Sequence, residues 1–214
     1  MALDYLKDPA AIYHLSFETA RAEADLSGFT ESEAQVAMRV IHACGMPEIA
    51  RDLKFSNGAV DAATAALAVG APILCDCTMV AAGISLTASG LNNPVLTFLD
   101  HADLAGRAKA EATTRSAAQV PLWRPYQAGA IIAIGNAPTA LFRLIEEIQA
   151  GAPMPAVVLG FPVGFVGAAE SKQALTSVKP LIPHLALLGR RGGSAIAAAA
   201  VNALARIAAG RSQI

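Results

Sequence analysis

Aromatic and charged residues are both scarce in this chain. Phe, Trp and Tyr make up 5% of its 214 residues, and Asp, Glu, Lys and Arg 15%. Hydrophobic residues still reach 54%, so the core is built of Ala, Val, Leu and Ile, and disorder is not expected. Small aliphatic side chains favour close packing of helices on a sheet over a β-sandwich. No basic excess is present. The net charge of −1 gives no electrostatic footprint for nucleic acid, and there is no acidic tail. An anionic ligand has to be met by locally placed Arg and not by global charge.

Cysteine is also sparse. Cys44, Cys75 and Cys77 are an odd set without paired spacing, which reads as reduced thiols in a cytoplasmic setting. The Cys75-x-Cys77 pair has no second Cys pair or neighbouring His, so no metal site is expected, and both thiols are placed in the core. No hydrophobic run is long enough for a membrane span. The Ala-rich stretch 195–201 is interrupted by Asn202 and Arg206, far short of about 20 apolar residues. Asp4, Lys7 and Asp8 crowd the start, where a secretory signal would have an apolar segment.

What is present is an alternating rhythm. Asp8-Pro9 opens a helix running to about Glu23, with Asp as cap and Pro in the first turn. Thr30-x-x-Glu33 is a capping box for a second helix, which Gly45 ends. An Ala-rich helix lies between Ser56-Asn57-Gly58 and Gly70. Short apolar runs then alternate with helical segments: 73–76, 95–100, 130–134, 156–160 and 185–188 as strands, and 78–83, 102–112, the segment through Leu141 to Ile148, 168–175 and 194–207 as helices. Continuous apolar strands between helices indicate a mostly parallel sheet covered on both faces. The expected fold is α/β, three-layered and Rossmann-like, with a helical N-terminal part. No repeat or linker divides it, so 1–214 is read as one domain.

In such sheets ligands sit beyond the carboxyl ends of the strands. Those ends are rich in small residues here: 135–139, 160–167 and 189–194. The second segment, Gly160-x-x-x-Gly164-x-x-Gly167, lacks the G-x-G-x-x-G spacing, a ribose-binding acid and a Walker Lys, which argues against a nucleotide. The third, Gly189-Arg190-Arg191-Gly192-Gly193-Ser194, joins a strand to a helix and offers two Arg to an anion. Thr113-Thr114-Arg115-Ser116 is either a second anion clamp or a polar helix end. Arg39 and His42, three apart on one helix, share a face, so a cation stands beside an ionisable ring. Glu170 and Lys172 read as a surface pair. No hydroxyl–His–acid triad is recognisable.

Five stretches together carry a family resemblance: Ile41-His42-Ala43-Cys44-Gly45, 112–117, Ile134-Gly135-Asn136-Ala137-Pro138-Thr139-Ala140-Leu141, 160–172 and 189–194. In this order they resemble the precorrin-8X methylmutases, or precorrin isomerases, over nearly the whole chain. The resemblance implies an isomerase of cobalamin biosynthesis. It would move a methyl group from ring carbon eleven to ring carbon twelve of precorrin-8X to give hydrogenobyrinate, with no cofactor, metal or methyl donor. It implies His42 as proton donor, and Ser16 and Arg39 as substrate contacts. It also implies a homodimer with sites near the subunit interface. Thr114, Arg115, Gly135, Asn136, Arg190 and Arg191 complete the expected substrate contacts, since Arg can grip carboxylates bidentately and small loops leave room for a flat ring. Alternatives are the same reaction on the cobalt-loaded intermediate, a non-catalytic corrinoid carrier, and a nucleotide-binding regulator.

Overall fold

The alternation of apolar residues within each strand decides the architecture. In the computed structural model, which describes residues 3–211, successive residues of every central strand enter opposite cores. The elements run α1 (Pro9–Glu23), α2 (Glu31–Cys44), β1 (Leu53–Phe55), α3 (Ala59–Ala68), β2 (Ile73–Cys75), α4 (Thr78–Gly83), β3 (Val95–Leu96) and α5 (Leu104–Ala110). They continue with α6 (Arg115–Ala118), α7 (Arg124–Gln127), β4 (Ile131–Ile134), α8 (Pro138–Gln149), β5 (Val157–Gly160), α9 (Ala168–Ser177), β6 (His184–Leu187) and α10 (Ser194–Ala208). Ile131, Ala133, Val157, Leu159, Leu185 and Leu187 face the core shared with α2, α3, α4 and α10. Their neighbours Ile132, Ile134, Val158 and Ala186 face the other, with α8, α9 and the fully buried Trp123. Three layers result. Each fully buried aliphatic side chain contributes about 1.5–3 kcal/mol.

The sheet order is β1-β6-β5-β4-β2-β3. Strands β2 to β6 are parallel, with Ile73 opposite Ile131 and Ile131 opposite Val157. β1 is antiparallel to β6, pairing Leu53 with Leu187. The expected mostly parallel α/β sheet is therefore present. The sequence reading did not include β1, a three-residue edge strand with Lys54 at its centre. It also made β3 too long. Past Leu96 the chain leaves the sheet, and the Phe98 N–H goes to the Gln119 side chain at 3.0 Å. The single-domain expectation over 1–214 includes 1–2 and 212–214, which lie outside the described residues.

The helix ends follow the sequence closely. Asp8 caps α1 by accepting the Ala11 N–H at 2.8 Å. The Thr30–Glu33 box is closed in both directions, and Gly45 ends α2 in the left-handed region at φ 66°. Such caps are worth about 1 kcal/mol each. α1 lies on α2, and α2 on α10, so the N-terminal helices sit against the last helix of the chain. Among the described residues no helix is long and apolar enough to cross a membrane.

Candidate active site

Residues 13, 16 and 17 recur at helical spacing on α1 and face 39 and 42 on α2. Phe17, 1% exposed, forms the floor of this cluster. The His42 ring stacks on it with centroids 4.6 Å apart and planes 25° apart. The Arg39 guanidinium lies over the same ring at 5.0 Å and over Tyr13 at 5.4 Å, cation–π geometry worth about 0.5–1 kcal/mol. Ser16 Oγ is 3.0 Å from His42 Nδ1. One ring nitrogen is thus held by a hydroxyl and one face is covered, while the side chain as a whole stays exposed. Burial, and then the Arg39 charge, lower the His42 pKa below its ordinary value. The position of His42 in the last turn of α2 works the other way, because a helix C-terminus favours a cation.

Arg39 is half-buried, and burial lowers its pKa while Tyr13 opposes the shift. Its planar group is oriented by the two aromatic rings, which an ammonium cannot imitate. Arg39→Lys is expected to keep the fold and lower product affinity about tenfold, the worth of one charge-assisted hydrogen bond. Titration by absorbance of the corrin product that the resemblance implies measures it, and unchanged affinity would remove Arg39 from the expected ligand contacts.

The three small-residue loops converge at the carboxyl edge of the sheet. Gly193 N–H donates to Phe161 O at 2.9 Å, Gly164 N–H to Arg190 O at 3.2 Å, and Val163 N–H to Asn136 O at 3.4 Å. Thr114 caps α6 and is 2.7 Å from Thr139 at the start of α8, which brings it beside the 135–137 turn. Gly135 is buried and Asn136 exposed. The Arg190 guanidinium lies 5.7 Å from the exposed Phe165 ring. Arg191 pairs with Glu48 at 2.9 Å, and this ion pair ties the loop after β6 to the turn after α2. The expected site residues therefore fall into two regions, the His42 cluster and the strand-end loops, with Arg191–Glu48 as a bridge. Arg115 is exposed at the edge of the second region and donates to the Leu99 carbonyl.

Lys172 corrects the surface-pair reading. It is completely buried under the 189–194 loop, where Nζ donates to the Arg191 carbonyl at 2.6 Å, and burial pushes its ammonium down to about 8. Its place at the fifth position of α9 turns it inward, away from Glu170. Sequence reasoning also missed Phe17 as the floor, Glu48, and Asp76, a buried carboxylate just after β2. The aromatic at position 17, one turn from Tyr13, was a usable signal. Among the described residues no three His, Cys, Asp or Glu side chains gather as they would around a metal ion.

A sequence profile of precorrin-8X methylmutase matches residues 11–207. The chain belongs to the precorrin-8X methylmutase family. It is 53% identical to the precorrin-8X methylmutase of Pseudomonas aeruginosa over 203 residues, covering 95% of this chain and 98% of that one. It is 51% identical to the Sinorhizobium protein of the same name, covering 95% and 97%. A cobalt-precorrin-8 methylmutase of Methanocaldococcus jannaschii is 36% identical over 179 residues, covering 84% and 81%. Among solved structures, the precorrin-8X methylmutase of Thermus thermophilus superposes with a TM-score of 0.82 at 40% identity, covering 94% and 98%. Membership of this methylmutase family accounts for the five motifs noted in the sequence, all of which lie within the matched span.

Proposed function

We propose that this chain is the isomerase that moves the methyl group of precorrin-8X from ring carbon eleven to ring carbon twelve, giving hydrogenobyrinate. The observation that carries the reading is the His42 cluster: an exposed imidazole, stacked on Phe17 and hydrogen-bonded to Ser16, beside a pre-oriented guanidinium. In the protonated ring Nδ1–H donates to the Ser16 hydroxyl, which leaves the Nε2–H as the proton to lend. His42 lends that proton to the macrocycle, the methyl group shifts between adjacent ring carbons, and the proton returns. No atom is gained or lost. Arg39 and Arg190 meet substrate carboxylates. Ser16, Thr114, Arg115, Asn136 and Arg191 complete the wall around the macrocycle, whereas Gly135, expected from the sequence as a contact, is buried under α4 and α10 and acts only by shaping the turn that carries Asn136.

Identity favours the metal-free substrate, at 53% against 36% for the cobalt-precorrin relative. The deciding experiment is incubation of purified protein with precorrin-8X alone, followed by absorption spectroscopy. A coloured corrin produced over many turnovers supports the isomerase, whereas stoichiometric capture would mean a carrier. Faster conversion of the cobalt-loaded substrate would move the chain to the other branch.

We also propose a cytoplasmic homodimer. Leu3, Leu6, Ile12 and Leu15 near the N-terminus, and Phe165 and Val166 in the loop after β5, are all exposed, with Phe165 at 85% and Val166 at 89%. Apolar surface of this kind marks a contact face. Sedimentation at micromolar concentration is expected to give twice the chain mass; a monomer alone would count against the dimer.

A further inference from the structure

Asp76 directly follows the apolar strand β2 at its carboxyl end and has no exposed surface. Its carboxylate accepts three backbone N–H groups from the turn after β4: Gly135 and Asn136 at 2.9 Å and Ala137 at 2.7 Å. Strand order gives this contact its meaning. From β2 the chain moves outward to β3, then returns to β4 on the other side of β2 and proceeds through β5 to β6. β2 and β4 therefore flank the point where connections diverge, and where a doubly wound sheet leaves a crevice for its ligand. Convergent amides before a helix are the donors an anion uses there, and α8 begins directly after them. In this chain an internal carboxylate already holds all three.

The turn is fixed from its other sides as well. A Cβ on Gly135 would come within 2.7 Å of Val80 Cγ2 and 2.9 Å of the Ser194 Cα, so α4 and the start of α10 close over it. Gln119 donates to the Asp76 carbonyl at 2.7 Å. The Asn136 carbonyl is taken by Val163 N–H. With its amide turned inward and its carbonyl engaged, Asn136 offers only its side chain to a ligand. Burial pushes the Asp76 carboxyl up and the three amides pull it back, so these bonds are what make a carboxylate tolerable there.

Resting on the isomerase reading above, we propose that Asp76 is a positioning residue that seals the switch-point crevice against anions. It fixes the turn so that Asn136 faces the macrocycle, and leaves substrate carboxylates to the Arg-bearing loop after β6. This explains how a Rossmann-like sheet takes a polycarboxylate ring while its usual phosphate seat stays shut.

The test uses the full chain as Asp76→Ala and Asp76→Asn, with formate as probe because it fits the hole left by the carboxylate. In Asp76→Ala the three freed amides bind formate. Its melting temperature rises with formate while that of the wild type does not, and kcat/KM, reduced about tenfold or more through KM, is partly restored. Failure of formate in either arm, or a wild-type KM in the folded variant, overturns the proposal. Should Asp76→Ala not fold, Asp76→Asn decides. A raised KM with kcat nearly kept supports positioning, and an equal loss in protein yield and activity with unchanged KM refutes it. The melting arm needs no turnover, so a wild-type chain lacking isomerase activity would sink the functional reading and still leave Asp76 to be judged.

Discussion

His42→Ala is expected to fold normally, bind the corrin product and lose roughly a hundredfold or more of its turnover, the usual worth of a general acid. The side chain is exposed and only its ring contacts are lost, so Phe17 and the α2 core remain to hold the helix. His42→Asn does no better, because an amide keeps a hydrogen bond to Ser16 but has no labile proton to lend. Turnover and melting temperature measured on the same samples separate chemistry from stability, and near-native turnover in folded protein would sink the assignment. The pH profile adds a sign. An acid must be protonated, so activity declines as pH rises. Burial and Arg39 lower the pKa of the free enzyme, which places the midpoint in kcat/KM below the ordinary imidazole value of 6.5. Bound carboxylates raise it again, so the midpoint in kcat lies higher than that in kcat/KM. A rising limb over the same range would mean that His42 acts as a base.

Gly192→Ala is expected to be the most damaging single-methyl change in the loops. A Cβ there would lie 2.3 Å from the Phe161 carbonyl oxygen and 2.5 Å from that of Pro162, both backbone atoms that cannot swing aside. The loops after β5 and β6 must part, at a cost of about 1–3 kcal/mol or more, and Arg190 and Arg191 move with them. A lowered urea midpoint and weakened product binding are both expected. Gly189→Ala is the control. Gly189 has a φ of 79° but nothing within 4 Å of its added carbon, so only backbone strain of about 1–2 kcal/mol applies. Equal stability of the two variants would show that the loop crossing is softer than its geometry implies.

The sheet and most helix ends were legible because their signals are local. Asp8-Pro9, Thr30-x-x-Glu33 and Gly45 act within one turn of themselves, and continuous apolar runs mark strands covered on both faces. β1 was not legible, since three residues pairing at an edge with β6 carry no period. His42 and Arg39 were found together because they are three apart on one helix. Their Phe17 floor, on a different helix, needed the packing of α1 on α2. Lys172 was misread because its charge suggests solvent, and only the tertiary structure brings the Arg191 carbonyl over it. Asp76 stayed hidden for the same reason, its partners being 59 or more residues away in the chain.

The meeting of the two ends of the chain has a consequence for the order of assembly. α2, which bears His42 and Arg39, lies on α10; β1 pairs with β6; and Ser56 Oγ accepts the N–H of His184, 128 residues later. Closing so long a span costs chain entropy before any contact repays it, so these contacts form late in folding. During synthesis the N-terminal helices leave the ribosome long before α10 exists, with the Val36 and Val40 face uncovered. His42 and Arg39 are therefore made well before α10 and are set in place only once it has docked.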